Sequence, residues 1–287
     1  MPPKKEVQFK GKVLFLHGYC QSAWQFYTKT SAIRKKLLKM NFKPVYLNGP
    51  IRLSPADLPS EDLLAKFNTV TTGDEEVNYR AWWHKRSYTD DSVDASETVN
   101  CFRNYIEKGE IIPENGSEPQ VEPENERQLP IVGLLGFSQG GAAAGLLAHK
   151  FNELFNVQTL KFVISIAGFM IHVSDTVNPQ YKDYYVKDGG ANEQYRILHL
   201  VGELDTVLDE KKLMSLYEHT KAQSDLLKHP GGHFVPNNKP IVDSIMNWVE
   251  KAYEGKIQNS EEEKESDQTK QEDMNSLMNM MDNLGKA

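Results

Sequence analysis

The stretch LPIVGLLGFSQGGAAAGLLAHK, residues 129–150, runs from an apolar segment through Gly136-Phe137-Ser138-Gln139-Gly140 into a small-residue helical pattern. A polar serine between glycines, where a buried strand becomes a helix, has no packing rationale. The turn implied by G-x-S-x-G is so tight that the serine backbone is strained, and only glycine at the flanks avoids collision with strand and helix. The Ser138 hydroxyl is then held out beyond the strand's carboxyl end. The Gln139 N–H and the helix dipole point at any negative charge that develops there. The pattern predicts a nucleophile, yet with Gly and Ser each near about 7% of residues a chain this long shows it by chance about one time in ten. Context has to decide.

A serine hydroxyl needs a base, and the base needs an acid to fix its tautomer and stabilise the imidazolium. His233, in the glycine-rich loop KHPGGHFVP, is the candidate base, with His229 as its rival at the end of the preceding strand pattern. Asp205 in HLVGELDTVLD follows an apolar strand and is the candidate acid, with Glu203 and Asp209 as weaker rivals. The competing role for Asp205 is N-cap of a helix starting near Val207. The chain order serine, acid, histidine is that of α/β-hydrolases, and the spacings leave room for strand and helix units between the members. All three candidates lie where strands end, the place at which ligands meet an open parallel sheet.

A second oxyanion donor is expected from FLHGYCQS (15–22), whose loop would present the Tyr19 amide opposite that of Gln139; the alternative is that His17-Gly18 is only a tight strand exit. Trp82, Trp83, Phe169 and Tyr19 are candidates for an apolar acyl pocket, with burial in the core as the competing role. Histidines 84, 149, 172, 199 and 219 are expected to be structural or at the surface.

The 287 residues carry a net charge of -7, with 39% hydrophobic and 25% charged side chains. These values suit one globular α/β domain plus a tail, and argue against nucleic acid or an anionic membrane as partner. Two cysteines, Cys20 and Cys101, lack metal-ligand spacing and are expected to be reduced. The apolar run Val13–Leu16 is too short for a signal peptide or membrane span. The expected compartment is the cytoplasm, with nuclear access left open, and no metal or cofactor is indicated.

Apolar strands at KVLFLHG (12–18), FKPVYLNGP, IVGLLGF (131–137), LKFVISIAGF (160–169) and YRILHLVGELD (195–205) alternate with helical patterns at 22–40, 140–153, 207–220 and 240–252. A further helix is expected over DASETVNCFRNYIEKG, closed by Gly109. The order indicates a mostly parallel sheet covered by helices on both faces. The domain is expected over 1–254, with an exposed acidic insertion near 109–130. Residues 255–287 are expected to form a disordered, acidic, Met-rich tail. Its Leu277, Met278, Met281 and Leu284 have the spacing of a partner-binding helix, against the plainer expectation of a frayed end.

Taken together, LFLHGYCQS, RAWW, GFSQGGA, GELDTVL and HPGGHFVP closely resemble the eukaryotic Fsh serine hydrolases, which include a human ovarian-cancer-associated member. The resemblance spans about residues 10–252. It implies an α/β-hydrolase fold and carboxylic ester hydrolysis, with Ser138, Asp205 and His233 matching the family triad and Tyr19 and Gln139 its oxyanion positions. The insertion and tail look longer than in a minimal member. The expected substrate is an ester of a small or medium acyl chain, cleaved through an acyl-enzyme on Ser138. The same triad would serve a thioesterase or a lysolipid or protein deacylase. A reading of another class is a binding module whose tail recruits a protein partner.

Overall fold

In β1 (Gly11–Leu16), Leu14 and Leu16 join the core on one side of the central sheet while Val13 and Phe15 join the core on the other. A strand that is apolar at successive positions is stable when both faces are covered, which parallel strands with crossover helices provide. The computed structural model describes residues 8–54, 57–58, 78–85, 91–114, 118–185 and 195–257. After β1 come α1 (Ala23–Lys29), α2 (Ser31–Lys39), β2 (Phe42–Leu47), β3 (Ile51–Arg52), β4 (Arg80–Ala81), α3 (Ser96–Lys108), β5 (Glu110–Ile111), β6 (Gln120–Val121) and α4 (Glu124–Arg127). The chain continues through β7 (Ile131–Phe137), α5 (Gln139–Ala148), α6 (Phe151–Phe155), β8 (Phe162–Ile166), β9 (Arg196–Gly202), α7 (Glu210–His219), β10 (Ser224–His229) and α8 (Lys239–Tyr253).

Six strands form one sheet in the order β10-β9-β8-β7-β1-β2, with every pairing parallel. Helices α3, α5 and α6 cover one face through Phe102, Leu146 and Phe151, while α1, α2 and α8 cover the other through Phe26, Leu37 and Ile245. The carboxyl ends of β1, β7, β9 and β10 therefore open on one edge of the sheet, as the strand order expected.

Two expected helices are each divided. The pattern over 22–40 breaks at Thr30, whose hydroxyl donates to the Phe26 carbonyl (2.7 Å) and meets the Tyr46 hydroxyl (2.6 Å), so the side chain competes for the helix's own hydrogen bonds. The pattern over 140–153 divides between α5 and α6. Gly109 closes α3 in the left-handed conformation (φ 74°), as the sequence predicts.

The insertion near 109–130 departs from the expectation of uniform exposure. β5 and β6 pair in antiparallel fashion, and Glu122 is buried. Its carboxylate accepts from Lys12 Nζ (2.9 Å) and from the Tyr105 hydroxyl (3.1 Å). Burial lowers the Lys12 pKa, the Glu122 partner opposing it. A buried carboxylate is tolerated here because it is paired and hydrogen-bonded. The expected tail, with Leu277, Met278, Met281 and Leu284, falls largely on 258–287, outside the described residues.

Candidate active site

Ser138 joins β7 to α5 with φ 53° and ψ -117°, a backbone conformation rare for a residue with a Cβ. The flanking glycines are dictated by contact. A Cβ on Gly136 would run into the Gly140 carbonyl, and one on Gly140 into the carbonyl oxygens of Leu16 and His17. The sharp turn leaves Ser138 at the end of β7 and makes Gln139 the first residue of α5, so its N–H has no acceptor within the helix.

Asp205 follows β9 and His233 follows β10, so three strand ends bring distant residues together. His233 Nε2 lies 3.0 Å from Ser138 Oγ, and its Nδ1 lies 2.7 Å from Asp205 Oδ2. The two side chains of the His233–Asp205 pair are each 1% exposed. Asp205 Oδ1 accepts from the Val207 N–H (2.8 Å) and the Leu208 N–H (3.0 Å). Asp205 is thus not the N-cap weighed as its competing role: one oxygen holds a turn at Val207 and Leu208, and the other holds the histidine. The helix that follows is α7, and its N-cap is Asp209, which accepts from Lys212 N–H.

Burial raises the Asp205 pKa, but the hydrogen bond and charge of His233 and the two amides outweigh it and leave the carboxyl below its ordinary value. An anionic Asp205 on Nδ1 directs the free Nε2 lone pair at Ser138. The rival His229 accepts at Nδ1 from the Gly231 N–H and shapes the loop instead. Burial lowers its pKa, with Asp205 and Glu203 opposing.

A cavity of about 140 Å³ opens beside Ser138, lined among others by Tyr19, Trp83, Gln139, Phe169 and Ile171. Trp82 is not part of it, contrary to the sequence expectation. Its ring is fully buried, packed on Phe102 and near His17, and its Nε1–H donates to the His17 carbonyl (2.8 Å). The chain bends after β4, and the two adjacent rings part, Trp82 to the core and Trp83 to the cavity. His84 and His172, expected to be structural or at the surface, also line the cavity. His199 is structural: it is buried against Thr220 and Ser224, and burial lowers its pKa to about 3.

Two bracing groups escaped sequence reasoning. The Gln139 side chain accepts from Trp82 N–H and donates to the Trp83 carbonyl, both at 2.9 Å, clasping the pocket wall to the elbow. His17 accepts at Nε2 from Gly49 N–H and donates from Nδ1 to the Gly18 carbonyl, both at 2.8 Å. Burial pushes its pKa down to about 4, so it remains neutral. Cys20 beside Tyr19 is buried, and burial, with the charge of Asp57, raises its pKa to about 12. It is a thiol and no nucleophile. Among the described residues no group of three or more His, Cys, Asp or Glu side chains is arranged to hold a metal ion.

The model of the family described as Serine hydrolase (FSH1) matches residues 7–245. The chain belongs to the FSH1 serine hydrolase family. It is similar to Family of serine hydrolases 3 of Saccharomyces cerevisiae, at 34% identity over 96% of this chain and 98% of that protein. It is also similar to Esterase OVCA2 of Danio rerio, at 30% identity over 78% of this chain and 90% of that protein. Among solved structures, a Bacillus cereus carboxylesterase aligns with TM-score 0.52 and 12% identity over 87% of this chain and 92% of that one. Zea mays acyl-protein thioesterase 2 aligns with TM-score 0.51 and 16% identity over 87% and 96%. At these identities the structures establish the α/β-hydrolase fold of this serine hydrolase, and the family resemblance read from its motifs holds.

Proposed function

We propose that this serine hydrolase cleaves carboxylic esters of small or medium acyl chains through an acyl-enzyme on Ser138. His233 takes the hydroxyl proton as Ser138 attacks the carbonyl carbon, and Asp205 orients the imidazole and stabilises its cation. The amides of Tyr19 and Gln139 hold the oxyanion, and His233 then protonates the leaving alcohol. Water, deprotonated by the same histidine, adds to the acyl carbon and releases the acid and free Ser138. The observation that carries this reading is the continuous hydrogen-bond chain Asp205–His233–Ser138, at 2.7 and 3.0 Å, opening on a cavity. A dry cavity of roughly 150 Å³ holds a group the size of benzene, so about 140 Å³ suits an acyl chain of about six carbons.

Cys20 and Cys101 are both free, which supports a reducing compartment, proposed as the cytoplasm. Fluorophosphonate labelling and turnover of p-nitrophenyl esters of graded length, on the wild type and Ser138→Ala, test the reading. Both signals should vanish in the variant, with a maximum near six carbons in the wild type. A folded wild type that neither labels nor turns over any ester refutes it.

A further inference from the structure

The cavity beside Ser138 has apolar walls, but its exposed mouth carries basic side chains. Two lysines, Lys85 and Lys212, and two histidines, His84 and His172, line it, with Asp91 as the one acid among the described lining residues, 3.5 Å from His172 Nδ1. This is an unusual balance for a chain of net charge -7. Lys212 stands in the first turn of α7, half-buried, with Nζ 4.9 Å from the centroid of the Phe169 ring that lines the same cavity. The ring face holds the ammonium by cation–π attraction, and no carboxylate is within ion-pair reach of it among the described residues.

Lys85 lies close enough to feel that charge. Partial burial and then the Lys212 ammonium lower the Lys85 pKa, with Asp91 opposing. Like charges converging on one mouth repel, and an anion placed between them relieves the repulsion and gains charge-assisted hydrogen bonds. Val93, Ile171, Val207 and Leu208 add apolar wall to the same cavity. The cavity thus matches a molecule with a scissile carbonyl at one end, a short hydrocarbon spacer and a negative charge at the other.

We propose that Lys212 is a specificity-determining residue that receives an anionic group of the substrate, so that the preferred substrates are esters carrying a second, negatively charged group, such as half-esters of dicarboxylic acids. The inference rests on the acyl-enzyme reading for which bond breaks, but the anion site can be measured without turnover.

The test compares kcat/KM for mono-p-nitrophenyl adipate and p-nitrophenyl hexanoate, which differ in a terminal carboxylate. A second pair puts the charge on the leaving group: the hexanoyl ester of 4-hydroxybenzoate against that of its methyl ester. The ratio of charged to neutral substrate within each enzyme cancels losses common to both. A ratio of about 10 or more is expected for the wild type in one of the two pairs. That pair identifies which half of the ester meets the ammonium. Lys212→Gln should lower the ratio about tenfold, and Lys212→Arg should keep most of it. Monomethyl adipate and methyl hexanoate are also titrated into Ser138→Ala and into Ser138→Ala with Lys212→Gln, following binding by calorimetry. Tighter binding of the charged ester that is lost with Lys212 supports the anion site even if the serine does no chemistry. A wild-type ratio at or below one in both pairs, or a preference in the responding pair that Lys212→Gln leaves untouched, overturns the proposal.

Discussion

Replacing Asp205 by asparagine separates the two tasks of one carboxylate. Oδ1 accepts from Val207 N–H (2.8 Å) and Leu208 N–H (3.0 Å), and Oδ2 faces His233 Nδ1 (2.7 Å). An asparagine amide has one oxygen and one NH₂, and the two backbone donors decide which goes where. Turning the NH₂ toward them would forfeit two hydrogen bonds at about 1 kcal/mol each, a preference of about 30-fold for the other orientation. The NH₂ therefore faces His233 and forces Nδ1 to accept, which moves the ring proton to Nε2. A protonated Nε2 at 3.0 Å from Ser138 Oγ cannot take the serine proton. Asp205→Asn should lower kcat for p-nitrophenyl esters by about 10⁴-fold.

Stability should respond differently. Asp205→Asn keeps the turn and loses only the carboxylate's charge on His233, so at neutral pH it should melt below wild type but above Asp205→Ala, which loses the turn as well, at about a further 1–2 kcal/mol. The carboxyl pKa is depressed in the folded protein, so its contribution is fully present above the unfolded value and is lost as pH falls through the folded one. The stability gap between wild type and Asp205→Asn should therefore shrink below about pH 4. Steady-state hydrolysis, fluorophosphonate labelling rate and thermal melts on the three proteins provide the assay. Asp205→Asn retaining a tenth or more of wild-type kcat would refute the tautomer argument.

Other perturbations follow from the same contacts. Gly140→Ala sets a methyl group against two backbone carbonyls of β1 and its exit and should cost more than about 2 kcal/mol; a melting temperature within a degree of wild type would contradict that. Trp82→Ala should destabilise by about 3–5 kcal/mol in denaturant titrations, whereas Trp83→Ala should leave a folded enzyme whose chain-length optimum moves to longer esters. Lys12→Met leaves the buried Glu122 carboxylate with only Lys43 at 3.8 Å and the Tyr105 hydroxyl, and should cost about 2–3 kcal/mol by chemical denaturation, with Lys12→Met and Glu122→Leu together recovering most of it; equal losses in the single and double variants would sink that explanation.

The local features of this protein were legible because local sterics enforce them. Gly136 and Gly140 announce an elbow since no other residue fits between strand and helix, and Gly109 announces a helix end because the left-handed backbone favours it. The order of Ser138, Asp205 and His233 could be read from the chain, because Ser138 and Asp205 each follow an apolar strand, His233 follows the strand pattern ending at His229, and parallel strands deliver their ends to one edge. Which face a side chain meets depended on partners far away in the chain. Trp82 and Trp83 are adjacent and chemically identical, yet one donates to the His17 carbonyl in the core and the other lines the cavity. Glu122 looks like any glutamate of an acidic stretch until Lys12 and Tyr105 are folded against it. The Gln139 clasp, the neutral His17 brace and the cations at the cavity mouth likewise exist only once separate loops converge, since hydrogen bonds and charges act over a few ångströms of space and not along the sequence.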